Sequence, residues 1–343
     1  MSLVTSTILS ALPGTTPTAE IDNATNKGII RTALGITPNL VVSDTAPASP
    51  ADGQQWLGLT AEVLHIWSNT KSRWISISSD FDADAAAYIA AVTAAGATVT
   101  ANQRAYINAF YVTGKKEGWY SSIKRLYLPI WGIEAPSAID MVGLTSGTFV
   151  SGITHSAGYV TTDGTTGHFL ADVSPGGAGC TLNGTGVFAL TTAASSLLLP
   201  NTQRFFGSQA ASNNTRVFLS GNATANRFGS SGLNNNLFLT FFANGDQRGV
   251  QFIGRSTSAN TFVVFRNSAL LTDSQASTSS TLNTTTPMCW LAGNNNGAIS
   301  AYAPNTARLG AAGMTEGMSQ ATAEAFTLQL KALWENCTGL ALP

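Results

Sequence analysis

The spacing of apolar positions changes period three times along the 343 residues. Between residues 54 and 78 three short runs, QQWLGL, VLHIWS and SRWISIS, alternate loosely and are separated by turn residues, Asp52-Gly53 before the first and Asn69-Thr70 before the last. This predicts a small meander of three strands, with Trp74 sharing a face with Ser76 and Ser78 and Ile75 with Ile77. From residue 82 the period becomes helical. DADAAAYIAAVTAAG is Ala-rich, acidic at its start and followed by Gly96. TANQRAYINAFYVTGKK opens with Thr100 and Gln103 in capping-box spacing. GWYSSIKRLYLPIWG places Trp119, Ile123, Leu126 and Tyr127 at helical intervals before Pro129, which predicts a third amphipathic helix.

From about 135 the pattern is short strands split by Gly, Asn and Asp: GTFVSG, AGYVTTDG, HFLADVS, GVFALTT, TQRFFGSQ, TRVFLSG, NNLFLTFFANGD, GVQFIGRS, NTFVVFRNSALL and MCWLAGNNNGAISAYAP. That spacing predicts a β-sandwich. Ala243–Asp246 and Asn294–Gly297 carry the strongest hairpin signals. A last helix, SQATAEAFTLQLKALWEN, takes Ser319 as its cap and Ala325, Leu328, Leu330, Leu333 or Trp334 as its buried side. Before the meander, residues 1–43 hold one weak helix, capped at Asp22 or Asn23 and closed by Gly35, and no core of their own. The chain is therefore read as mainly β in four parts: a lead-in over 1–43, a Trp-rich β module over 44–79, a helical segment over 80–134, and a sandwich with a C-terminal helix over 135–343.

Composition sharpens this picture. Charged residues make up only 10% of the chain and the formal net charge is −1. The polarity comes from Asn, Thr, Ser and Gly instead. No basic stripe offers the counterion release on which nucleic-acid binding depends. No apolar run is long enough to span a membrane, and the N-terminal MSLVTSTILSALPG lacks the basic start of a signal peptide, so neither export nor membrane insertion is expected. Cys180, Cys289 and Cys337 are far apart and lack metal-ligand spacing, so they read as buried thiols, and His65, His155 and His168 form no zinc motif. No cofactor is expected.

Catalytic groupings are also missing. Two-carboxylate glycoside chemistry needs acids facing each other across a sugar. Between Ala135 and Thr315 there is no glutamate, and the acids there are Asp140, Asp163, Asp172, Asp246 and Asp273, all widely spaced. No Gly-x-Ser-x-Gly elbow or dinucleotide-binding glycine motif is present. Asp163 and Asp246 lie in Gly-rich turns, as turn residues or as loop ligands for calcium, without an EF-hand series.

Two stretches carry a resemblance. SDTAPASPADGQQWLGLTAEVLHIWSNTKSRWISI resembles a short module of tailed-bacteriophage structural proteins, through Pro47 or Pro50, Asp52, Gly53, Trp56, Trp67, Trp74 and Ile75. FDADAAAYIAAVTAAGATVTANQRAYINAFYVTGKKEGWYSSIKRLYLPIWG, with the closing AGMTEGMSQATAEAFTLQLKALWENCTG, looks like the frame around concanavalin-like, lectin-type sandwiches of phage tail and fibre proteins. The resemblance implies a concanavalin-like or jelly-roll sandwich on a virion protein assembled in the host cytoplasm. It implies a fibre that displays a host-surface (glycan) binding domain, with a head fibre or capsid decoration protein as the alternative and a glycan-degrading enzyme further behind. It supplies no catalytic or ligand residue to carry over.

The residues add expectations of their own. A sheet of thirty residues is under-filled, so Trp56, Trp67 and Trp74 form either its core or an oligomer interface, read here as that of a homotrimer. Residues 1–43 are read as the contact with other virion proteins. The ligand-facing parts of the sandwich are read as the turns Thr161–Gly167, Asn213–Thr215, Asn234–Asn236, Ala243–Asp246 and Asn294–Gly297. Their candidate residues are Asp163, Asn214, Asn235, Asn244, Asp246 and Asn295, with Tyr159, Phe169, Phe242 and Tyr302 as ring-stacking aromatics. Deleting residues 1–43 is expected to leave a folded protein that no longer enters particles; normal incorporation of that truncation, measured on purified virions, refutes the anchor.

Overall fold

A computed structural model describes residues 40–43, 45–50, 54–58, 63–69, 72–76, 81–192, 206–209, 217–222, 227–231, 238–243, 248–256, 260–267, 269–276, 281–300 and 302–342. The chain divides into two compact units, Met1–Asp82 and Ala83–Pro343.

The first unit contains a four-stranded sheet of β1 (Leu40–Ser43), β2 (Gln55–Gly58), β3 (Val63–Ser68) and β4 (Arg73–Ser76), in that order. The three expected strands are present. A fourth, β1, comes from the end of the stretch read as a lead-in and pairs with β2 in parallel. A truncation meant to spare the sheet therefore stops at residue 39. Trp56 lies opposite His65 and Trp67 opposite Trp74. With a period of two, the three tryptophan positions fall on one face of the sheet. Trp56 and Trp67 are half-buried, and their indole N–H groups donate to Ser43 O (2.9 Å) and Asn69 Oδ1 (2.6 Å). The expected helix before Gly35 and the turn at Asp52-Gly53 lie outside the described residues.

The second unit runs α1 (Ala83–Ala94), α2 (Ala101–Glu117), β5 (Ile123–Tyr127), α3 (Glu134–Ser137), β6 (Thr148–Phe149), β7 (Ile153–Ser156), β8 (Tyr159–Thr162), β9 (Phe169–Leu170) and β10 (Thr185–Thr191). It continues through β11 (Phe206–Gln209), β12 (Val217–Asn222), β13 (Arg227–Ser231), β14 (Phe238–Ala243), β15 (Gly249–Arg255), β16 (Asn260–Arg266) and β17 (Leu270–Ala276). It ends with β18 (Cys289–Trp290), β19 (Gly293–Asn295), β20 (Ala298–Ser300), β21 (Arg308–Glu316) and α4 (Gln320–Thr338). One sheet has the order β17-β16-β15-β10-β21-β8-β7, with β5 also on β21; the other has β14-β13-β12-β11-β18-β9-β6, with the β19–β20 hairpin alongside β11. The expected mainly β sandwich with helices ahead of it is what the chain forms.

The first of these sheets is covered on both faces. On one side α1, α2 and α4 pack on it through Tyr88, Ile107, Phe110, Trp119, Leu330 and Trp334 together with the strand residues Phe188, Leu190, Phe252 and Val264. Phe326 of α4 stands at the centre, with ring centroids 4.9 Å from Phe188, 5.5 Å from Trp119 and 6.2 Å from Phe252. On the other side Val187, Ala189, Ile253, Leu309 and Met314 meet Phe149, Phe169, Phe206 and Trp290 of the second sheet. The Trp290 indole N–H bridges the layers by donating to Phe188 O at 3.2 Å. The helices thus build one core with this sheet, and the two sheets build a second between them.

Caps hold the helix ends where the sequence places them. Thr100 and Gln103 form a reciprocal capping box, Gly118 closes α2 in the left-handed region, and the Ser319 side chain accepts from Thr322 N. Three expectations are corrected. GWYSSIKRLYLPIWG is not a helix; β5 pairs with β21 instead. A bulge at Lys124 lets Met314 face Arg125 and Thr315 face Ile123. That extra residue puts Ile123 and Leu126 in the same core, so a bulged strand imitates the i, i+3 spacing of a helix. Ala243–Asp246 is not a hairpin tip, because β14 and β15 belong to different sheets. On α4 Phe326 is buried and Leu328 is 48% exposed, since the inward stripe runs Phe326, Leu330, Leu333, Cys337.

Gly313 marks the tightest point. It lies opposite Phe188 on β10 and Leu126 on β5. A Cβ there would come 2.2 Å from Arg125 O and 2.3 Å from the Phe188 ring, whereas one at Gly297 meets nothing. Gly313→Ala is expected to cost at least about 2 kcal/mol in urea unfolding. Gly297→Ala, strained only by its positive φ, is expected to cost about 1 kcal/mol. Equal costs contradict this packing.

Candidate functional site

The densest cluster of charge surrounds Arg125 on β5. Its guanidinium clamps Asp172 through Nε–Oδ1 and Nη2–Oδ2, both 2.8 Å, while Nη1 donates to Lys124 O at 2.7 Å. The Tyr127 hydroxyl adds a bond to Asp172 Oδ1 at 2.9 Å. Asp140, fully buried, accepts N–H bonds from Leu126 (2.7 Å), Val142 (3.1 Å) and Gly143 (2.7 Å), with Arg125 3.8 Å away. The Asp140 carboxyl is pushed up by burial, against the pull of its three N–H donors and Arg125. Partial burial also pushes Asp172 up, but Arg125, Tyr127 and Thr145 bring it net below its ordinary range. The two acids converge on one cation. They fasten the 140–145 loop, where Leu144 has φ 55°, and Ala171–Asp172 to β5. This cluster is a lock, with its acceptors filled from within.

Asp163 follows β8 directly. Its Oδ1 accepts N–H bonds from Thr165 (2.9 Å), Thr166 (2.8 Å) and Gly167 (2.8 Å), and the Thr166 hydroxyl donates to Oδ2. These donors, Gly167 first, hold the carboxyl far below its ordinary range. Thr162 Oγ1 donates to Gly167 O at 2.6 Å and accepts from Gly164 N at 3.2 Å. The loop is thus folded onto its own acid. Asp163 shapes it and leaves the hydroxyls of Thr165 and Thr166 on an exposed segment.

Beside this loop, β7, β8 and β21 present a row of polar side chains on the face turned away from the inter-sheet core. Thr154 lies opposite Thr161, and Thr161 opposite Arg308; Ser156 lies opposite Tyr159. Their neighbours Val160 and Leu309 are fully buried between the sheets, which fixes the direction of the alternation. Thr154 and Arg308 are exposed, and Ser156, Tyr159 and Thr161 are half-buried. The Arg308 guanidinium sits over the Tyr159 ring at 4.5 Å from its centroid. Three strands spaced about 4.8 Å apart make this row about 10 Å long, the span of a disaccharide. It offers hydroxyls, one aromatic ring and a fork of N–H donors, a set suited to a polyhydroxylated ligand.

The candidate residues named from sequence separate as follows. Asp163 is engaged by its own loop. Asn295 is exposed beside the β19–β20 turn, where Asn296 and Gly297 both have positive φ, as the hairpin signal requires. Asn214, Asn235, Asn244 and Asp246 lie outside the described residues, and nothing of the Phe242 or Trp74 side chains is described. Phe169, read as a stacking ring, is core instead: it is 1% exposed and 4.8 Å from Tyr127. Tyr302 is half-buried, 6.0 Å from His168. Arg308 and Thr154 belong to no sequence motif. Their signal is the alternation of Arg308 with Leu309 and of Thr154 with its neighbours Ile153 and His155, visible only once β7, β8 and β21 are paired. Among the described residues no group of three His, Cys, Asp or Glu is arranged to hold a metal, no helix is long and apolar enough to cross a membrane, and the three cysteines are buried and unbridged.

The lowered Asp172 carboxyl contributes stability that is present above its unfolded value of about 3.9 and lost as pH falls through the lower folded value. Asp140, raised, works in the opposite sense: its contribution is complete at low pH and lost as pH rises through its folded value. Asp172→Asn isolates the first. It is expected to cost about 1 kcal/mol at neutral pH, after solvent screening, with the gap to the unsubstituted protein closing below about pH 4. A gap that stays constant in urea melts from pH 7 to 3 contradicts the assignment.

No family model matches the chain, and no curated protein matches it. Among solved structures, it is similar to the receptor binding domain of botulinum neurotoxin C/D mosaic serotype, with TM-score 0.44, 6% identity, and coverage of 61% of this chain and 51% of that one. It is similar to the binding domain of Paraclostridial Mosquitocidal Protein 1, with TM-score 0.40, 6% identity, and coverage of 61% and 52%. It is also similar to the Ruminococcus gnavus IT-sialidase CBM40, with TM-score 0.30, 14% identity, and coverage of 42% and 82%. The match spans about half of the neurotoxin domain's own length, and likenesses at this level assign no residue of this chain a role.

Proposed function

We propose that the chain is a non-catalytic display module whose sandwich binds a surface glycan through the outer row of β7, β8 and β21. The observation that carries this reading is the row itself: Thr154, Thr161 and Arg308 in register across three strands, with the Arg308 guanidinium over the Tyr159 ring. The disposition of three of the five sandwich acids supports a binding role over hydrolysis. Asp140, Asp163 and Asp172 have their carboxylates engaged by backbone N–H groups or by Arg125, where a general acid or nucleophile needs an oxygen facing the sugar. The Trp-bearing module and the helical frame, which resemble phage structural proteins, support the finer reading. The module is carried by a tailed-phage fibre, trimeric through the sheet that bears Trp56, Trp67 and Trp74, and attached to its particle through the residues ahead of β1. Weak single sites then gain avidity from threefold display.

The test mixes the full-length protein with host cells and with isolated envelope polysaccharide, measuring retention and reducing ends. Retention without release of reducing ends is expected, and Tyr159→Ala is expected to weaken it about tenfold by freeing Arg308. Release of reducing ends that disappears on changing one aspartate overturns the non-catalytic reading. Absence of retention, with the protein found on the capsid, favours a decoration protein instead.

A further inference from the structure

Resting on that reading, we infer that the glycan is acidic and that Arg308 is the residue that reads its carboxylate. Five other cations of this unit have internal partners. Lys124 pairs with Glu316 at 2.7 Å, Arg125 with Asp172 at 2.8 Å, Lys331 with Glu335 at 2.6 Å and Lys115 with Asp84 at 2.7 Å. Arg266 donates to Glu324 O at 2.9 Å and Thr327 Oγ1 at 3.2 Å. Arg308 is exposed and meets no carboxylate among the described residues; its guanidinium lies over the Tyr159 ring, 4.5 Å from the centroid. The acid next along β8, Asp163, is already occupied by four donors of its own loop.

The contact with Tyr159 defines what Arg308 is free to do. It engages the charge of the guanidinium and spends none of the hydrogen bonds of its N–H edge. That edge carries donors only, in a planar fork that matches the two oxygens of a carboxylate. Vicinal hydroxyls of a neutral sugar fit the same fork but bring no charge, so a carboxylate gains the stronger, charge-assisted pair. Thr161, directly opposite Arg308, and Thr154 beyond it then stand where the hydroxyls of the same sugar or its neighbour fall. The row therefore has a polarity, with an anion-reading end at β21 and a hydroxyl-reading end at β7.

The experiment is a glycan array probed with the full-length protein, carrying neutral, uronic-acid, other carboxylated, sulfated and phosphorylated glycans. The best carboxylated glycan is then compared with its carboxyl-reduced form. Binding is expected to concentrate on the carboxylated glycans. Carboxyl reduction is expected to weaken it about tenfold, as is Arg308→Ala, while Arg308→Lys, which keeps the charge and loses the fork, recovers only part. The reduced-glycan arm uses the unsubstituted protein, so it stands even if a variant fails to fold. Binding to neutral glycans that Arg308→Ala leaves unchanged overturns this inference and leaves the glycan-binding reading intact. A preference for sulfated or phosphorylated over carboxylated glycans overturns the carboxylate assignment. Absence of binding to every glycan overturns both.

Discussion

The second unit depends on burying both faces of one antiparallel sheet. A sheet hidden on two sides needs a layer on each, and the chain builds them from different materials. Aromatic helices cover one face and a second sheet covers the other. Phe326 is the point on which the helical layer closes, in contact with rings from α2, its following turn, β10 and β15. Burial of each such ring contributes about 2–3 kcal/mol. The need for close approach explains the glycine at 313, where three strands and a phenylalanine ring leave no room for a side chain. It also explains why α4 is integral to the sandwich, because without Phe326 the rings of Phe188 and Phe252 would lose their cover.

With both faces of its central strands given to the core, the main sheet buries the polar groups it carries there, such as Gln251 and Arg255, and the polar chemistry of the candidate site lies at its margin. There it divides into two kinds. The acids Asp140 and Asp172 are held by backbone donors and Arg125, and the exposed Asp163 by donors of its own loop, where they set the shape of loops. The outer row at β7, β8 and β21 lies past the helical cover and keeps its hydroxyls and one guanidinium facing outward. A ligand meeting this row encounters a surface already held in place by strand pairing, with little loop ordering required on binding.

Much of this architecture is legible in the sequence. The change of period near residue 82, the Thr100–Gln103 cap, the Ser319 cap, the short strands after 135 and the Asn296-Gly297 hairpin all express local physics and hold. The failures are places where distant pairing overrides local pattern. The bulge at Lys124 gives a strand the spacing of a helix. The sequence Ala243–Asp246 has hairpin chemistry, yet the strands that flank it, β14 and β15, belong to different sheets. Leu328 and Phe326 are both apolar, and only the position of Phe188 decides which turns inward. The candidate site was least legible, because Thr154, Thr161 and Arg308 are remote in sequence and become neighbours through two strand pairings. Asn- and Asp-rich turns drew attention in their place, and Asp163 is consumed by the fold of its own loop.

The central claim is that ligand binding takes place on this strand row. Amide hydrogen exchange of the full-length protein, measured with and without the polysaccharide that retains it, tests that claim most directly. The account predicts added protection confined to peptides spanning 153–167 and 302–309. Unchanged exchange in those peptides, with protection appearing elsewhere in the chain, contradicts it.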